Sequence, residues 1–151
     1  MNAASQAVTI ELTSKIAQLA VLFRAEFADV MVDLNPWLTD TKTQQQLDPH
    51  SIDLSFHFPK RHVGLACRCI LLQVQFSEGL LQPTCQLTCV EANGYQHGDP
   101  QWAFSTANGQ FTGAYLPLEE YQQRLRNVIS QIFRLFEYPN QVKTRSDYRS
   151  Y

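Results

Sequence analysis

The chain has 151 residues, 44% hydrophobic and 17% charged, with a formal net charge of −2 and a pI near 6.0. That length can bury a core without disulfides or metal, and the charge gives no overall basic field to hold duplex nucleic acid. No run approaches the roughly 18 apolar residues of a membrane-spanning helix, and MNAASQAVTIELTSK lacks the basic-then-apolar order of a secretory leader. The expected setting is a reducing cytoplasm, where cysteines stay thiols or serve as ligands.

Apolar residues from Thr9 to Leu34 fall at three- and four-residue steps (Leu12, Ile16, Leu19, Phe23, Phe27, Val30, Leu34), which predicts a helix over 9–34. Asn35-Pro36 ends it, because the residue before proline is pushed out of the helical region. A polar connector over 35–50 carries Trp37 and the Gln44–Gln46 run. In SIDLSFHF, Ile52, Leu54, Phe56 and Phe58 alternate with polar residues, the pattern of a strand with one buried face. A second strand over Ala66–Phe76 and a third over Thr84–Ala92 follow.

Residues 101–116 read as a hairpin. Asn108-Gly109 signals a two-residue turn in which both central positions take positive φ. Pairing across it sets Thr106 against Phe111, Phe104 against Gly113 and Trp102 against Tyr115. After Pro117, a stripe from Leu118 through Leu125, Ile129 and Ile132 to Phe136 predicts a second helix over 118–137. Helix, five strands and helix, with short links throughout, give a single α+β domain over 1–140. Its expected form is a two-layer sandwich with a five-stranded antiparallel meander over 51–116. Residues 141–151 read as a flexible tail.

The four cysteines, Cys67, Cys69, Cys85 and Cys89, invite a metal or redox reading. In the second strand the even positions Ile70, Leu72, Val74 and Phe76 are the buried set; in the third, the odd positions Cys85, Leu87 and Cys89 are apolar. Matching those faces puts Cys67 and Cys69 on one side of the sheet and Cys85 and Cys89 on the other. Four thiolates cannot then surround one ion, and a disulfide cannot join the pairs. The reading is four small buried hydrophobes and no metal, unless a β-bulge reverses the parity.

Pairing Phe76 with Pro83 places Arg68 opposite Glu91. The two form a cross-strand ion pair, or Arg68 stands at a cavity mouth as an anchor for a carboxylate or phosphate. His57 shares the polar face of the first strand with Asp53, and turn chemistry accounts for His97-Gly98-Asp99-Pro100. No metalloprotease, nucleophile-elbow or phosphate-loop motif occurs, so no cofactor is implied. The tail sets Arg145 and Tyr148 among Lys143, Arg149 and Tyr151, a pattern that can grip an acidic partner or a single strand of nucleic acid.

Two functions fit. The first is a non-catalytic cytoplasmic binding or assembly protein that recognises another macromolecule, a protein above all, through Trp102, Phe111, Tyr115 and the tail residues Arg145 and Tyr148. The second is a small-ligand protein or enzyme with a pocket between sheet and helices and Arg68 as its anionic-group anchor. A homodimer through an outer strand is compatible with both. If the Trp102 hairpin faces the helices, the first reading loses its aromatic anchors.

Overall fold

The computed structural model describes residues 1–37 and 47–137. In chain order these form α1 (Ala3–Gln6), α2 (Ile10–Glu26), β1 (Met31–Asp33), β2 (Ser51–His62), β3 (Cys67–Phe76), β4 (Leu87–Gln96), β5 (Asp99–Ser105), β6 (Phe111–Thr112) and α3 (Glu119–Glu137). The strands make one antiparallel sheet in the order β1-β2-β3-β4-β5-β6. Helices at both ends of the chain and a meander between them are the α+β arrangement read from the sequence, with six strands in place of five. The Gln44–Gln46 run and the tail, including Arg145 and Tyr148, lie outside the described residues.

The extra strand comes out of the expected first helix. Thr9 caps α2, its hydroxyl accepting from Leu12 N–H, and the helix closes where Phe27 N–H bonds Phe23 O. The chain turns at Phe27–Val30, and Met31–Asp33 pairs with Ser55–His57 of β2. The stripe concealed the break because Phe27 and Val30 are buried on either side of it. The Val30-Met31-Val32 run then favours extended backbone.

One face of the sheet is apolar and lies under α2 and α3. Ile52, Leu54 and Phe56 of β2, Ile70, Leu72 and Val74 of β3, and Val90 and Ala92 of β4 are all fully buried. Each of these side chains other than Ala92 contributes about 1.5–3 kcal/mol of burial. Phe23 of α2 stacks on Phe56 with ring centroids 3.8 Å apart, and Leu125, Ile129, Ile132 and Phe136 bring in α3. Arg124 of α3 clasps Glu26 at 2.7 Å and joins the two helices.

The register of β3 with β4 corrects the sequence reading. Gln73 faces Glu91 and Val74 faces Val90, so even positions pair with even, and Phe76 pairs with Leu87 after a bulge. Phe76 does not meet Pro83, and Arg68 does not meet Glu91. Residues 77–86 form a turn instead, with Ser77 N–H bonded to Gln86 O and Cys85 N–H to Gln82 O. The bulge reverses parity, so Val90 and Ala92 face the core while Cys89 and Glu91 share the other face with Cys69. Cys67 and Cys69 also differ in setting, lying on either side of the break in β2–β3 register. Cys67 is in the core, Cys69 and Cys89 are on the polar face about 20 Å apart by strand rise, and Cys85 is in the turn.

The second hairpin is also redrawn. The two-residue turn with two positive φ values is at His97 (51°) and Gly98 (80°), between paired Gln96 and Asp99. At the expected turn only Gly109 is left-handed (70°), and Asn108 uses its side-chain oxygen to accept from Gln110 N–H. Thr106 stays bonded to Val90, which lengthens the loop and pairs Phe104 with Phe111 and Ala103 with Thr112. Phe104–Gly113, Trp102–Tyr115 and Thr106–Phe111 are therefore not cross-strand pairs. The aromatics face the helices: Trp102 is 2% exposed, Phe111 packs on Phe104 at 4.6 Å, and Arg126 of α3 covers both phenylalanines.

The opposite, polar face holds a buried carboxylate. Asp53 accepts from the Met1 ammonium at 2.8 Å and from Trp37 Nε1 at 2.6 Å. Trp37 thereby packs over the first strands.

Candidate binding surface

The β2–β3 hairpin turns over Val63–Ala66, where Ala66 N–H bonds Val63 O. Its sequence, PKRHVGLACR, places apolar and basic residues in a turn that ordinarily would be polar. Register between the strands breaks after His57–Cys69 and resumes at His62–Cys67. Inside the turn Leu65 points inward and is fully buried, while its carbonyl accepts the Trp102 indole N–H at 2.6 Å. His62 accepts Leu65 N–H through Nδ1 at 3.1 Å and sits edge-on to Phe58 and Tyr121. Burial, then the nearby Arg124 guanidinium, lowers the His62 pKa, which keeps this imidazole neutral. Those contacts turn Val63 outward, 75% exposed.

A strap joining β6 to α3 runs past the hairpin. Tyr115 N–H bonds Gln101 O, and Leu118 N–H bonds Gly64 O at 2.8 Å. Gly64 is required there, because a Cβ would stand 2.2 Å from the Tyr121 ring. Leu118 therefore emerges beside Val63. With Tyr115, Leu116 and Leu118 exposed at 60%, 44% and 59%, four large apolar side chains open at one corner. Such a patch, on the order of a few hundred Å², is what protein surfaces reserve for partners.

Charge is sorted around this patch. On the hairpin side Lys60, Arg61 and Arg68 are exposed, and Arg68 Nη2 is fixed to Pro59 O at 3.1 Å. Beyond Leu118, Glu119 and Glu120 open the first turn of α3. Asp29 and Tyr121 join Lys60 and Arg61 in lining a cleft of about 280 Å³ beneath the hairpin. Arg124 is nearby but committed to Glu26.

Of the residues singled out from sequence, Arg68 and Tyr115 reach this end of the molecule and Trp102 braces it from beneath. Phe111 is half-buried against the core, and Glu91 lies on the polar face opposite Gln73 and Ser105. Leu118, which the sequence reading puts at the head of the buried stripe of the second helix, instead precedes that helix and is 59% exposed. Val63, Lys60 and Arg61 are not among the residues singled out from sequence; their signal is an apolar residue in a basic turn.

A second cluster has the residue types of catalysis but not their state. On the polar face His57 Nε2 is 2.8 Å from Ser55 Oγ and 3.9 Å from Cys69 Sγ. Burial and the Asp33 carboxylate raise the Cys69 thiol pKa, so the nucleophilic thiolate is disfavoured. The backbone around these residues is paired in the β2–β3 ladder, with Ser55 opposite Leu71 and His57 opposite Cys69. Among the described residues no set of three or more His, Cys, Asp or Glu side chains could hold a metal ion, and no helix is long and apolar enough to cross a membrane.

Residues 4–138 match the model of a protein family described as a domain of unknown function. No curated protein and no solved structure matches the chain.

Proposed function

We propose that this chain, which belongs to that domain-of-unknown-function family, is a non-catalytic cytoplasmic binding protein that recognises another polypeptide at the β2–β3 corner. One observation carries the reading: four open apolar side chains, Val63, Tyr115, Leu116 and Leu118, lie against a basic hairpin braced from within. Rigid bracing matters because a pre-ordered surface loses little entropy on docking. Three exposed cations facing two carboxylates suit a protein surface better than a polyphosphate. The outer strands, β1 and β6, offer three and two residues for edge pairing, so the corner is the stronger candidate for association. Four separate thiols fit a reducing compartment.

A photo-crosslinking amino acid at Val63, introduced in the native host, tests this. Val21, 65% exposed on the outer face of α2 against 75% for Val63, is the control. A discrete adduct from position 63 and none from 21 is the expected result. Equal, diffuse labelling from both positions would refute the reading.

A groove of about 470 Å³ supports the small-ligand alternative. It lies between the start of α2, the end of α3 and the 77–86 turn, walled by Leu12, Phe76, Leu80 and Phe136. Its basic residue is Lys15, paired with Glu11 and set over the Phe136 ring, rather than Arg68.

A further inference from the structure

The order of chemistry across the corner narrows the choice of partner. From the hairpin to the helix it runs basic (Lys60, Arg61, Arg68), apolar (Val63, Leu118) and acidic (Glu119, Glu120), the two halves stitched by the Leu118–Gly64 backbone bond. Rotated by 180° about its apolar centre, such a surface presents acid to base and base to acid. That is the self-complementarity a two-fold interface demands, since each residue must meet its counterpart's neighbour in both directions. A surface made for a uniformly acidic partner would not end in two glutamates.

We infer that the polypeptide docked at this corner is a second copy of the chain, arranged about a two-fold axis near Val63 and Leu118. In that arrangement Lys60 and Arg61 of each copy face Glu119 and Glu120 of the other, and the Val63 and Leu118 side chains close the centre. Asp29 is exposed in the cleft with Lys60 and Arg61 and offsets part of their charge, leaving that side, with Arg68, three cations against one carboxylate. The inference rests on the corner being a docking surface, and it fixes what docks there.

Sedimentation velocity across about 1–100 μM, the span of moderate affinities, tests it with two double variants. Lys60→Glu with Arg61→Glu, and Glu119→Lys with Glu120→Lys, each place like charges across the axis and should weaken the dimer at least tenfold. Mixed in equal amounts, the two should recover a heterodimer of near wild-type affinity, which a folding defect could not produce. Thermal melts of each variant confirm that it is folded. A wild-type chain that stays monomeric overturns the inference, as does a dimer indifferent to both variants or a mixture that does not recover. A Val63 crosslink to a different protein alongside monomeric wild type leaves the docking surface standing and removes only the second copy. Monomer without any crosslink removes both.

Discussion

Replacing Trp102 by Phe isolates what the indole does. Its ring is 2% exposed and rests on Gly94, where a Cβ would come within 2.3 Å of the indole atoms, and its N–H reaches Leu65 O at 2.6 Å. Phenylalanine keeps most of the apolar contact but leaves that buried carbonyl without its donor. The orphaned group costs about 1–3 kcal/mol, and the space left by the missing ring atoms adds roughly 1 kcal/mol. Urea unfolding followed by far-ultraviolet circular dichroism should therefore show a loss of about 2–4 kcal/mol. With an m-value of about 2 kcal/mol/M, the midpoint falls by about 1–2 M. A loss below about 0.5 kcal/mol would refute the bond and with it the bracing of the hairpin. Because Leu65 is the inner residue of the turn that displays Val63, the same variant should also weaken association, and Leu65 amide exchange should quicken.

Gly64→Ala should destabilise by about 1–3 kcal/mol through its collision with Tyr121, and Tyr121→Ala combined with it should cost less than the sum of the two single changes. His62 stays neutral in the fold, so its contribution is complete above about pH 6.5 and is lost as pH falls through its lowered folded value. Urea midpoints measured from pH 7.5 to 5 should decline in the wild type and flatten for His62→Gln; parallel curves would contradict the assignment. Burial, then the neighbouring Cys69, pushes the Cys67 thiol up to about 12. At pH 8 it holds roughly a thousandfold less thiolate than an ordinary cysteine, so peptide mapping after alkylation should find Cys67 unmodified in native protein and modified in urea. Native modification at the rate of Cys85 would place Cys67 outside the core.

The layers of the fold were legible because burial leaves periodic marks. Ile52, Leu54, Phe56 and Phe58 wrote β2, and the even positions of Cys67–Phe76 wrote β3. What periodicity cannot carry is the single inserted residue. The bulge at Gln75–Phe76 turned β4 over, and with it fell the Arg68–Glu91 pair and the division of the cysteines. Asn-Gly and His-Gly are both capable of the same tight turn, and the register of β4 with β5 placed it at His97-Gly98. The corner itself left little trace, because its meaning comes from Gly64 meeting Leu118 across fifty-odd residues of intervening sheet.

The meander has a consequence for synthesis. Every strand pairs with its neighbour in sequence, so the sheet can be laid down hairpin by hairpin as the chain emerges, at modest entropic cost per step. Its lid cannot follow that order. α2 is made first and α3 last, and the Arg124–Glu26 clasp between them spans 98 residues. Until Glu119–Glu137 has been made, Val90, Trp102 and Phe104 form an uncovered apolar wall on an otherwise finished sheet. At about 5–20 residues per second that exposure lasts seconds. This domain is most in need of protection when its sheet is finished and only α3 is still to be made.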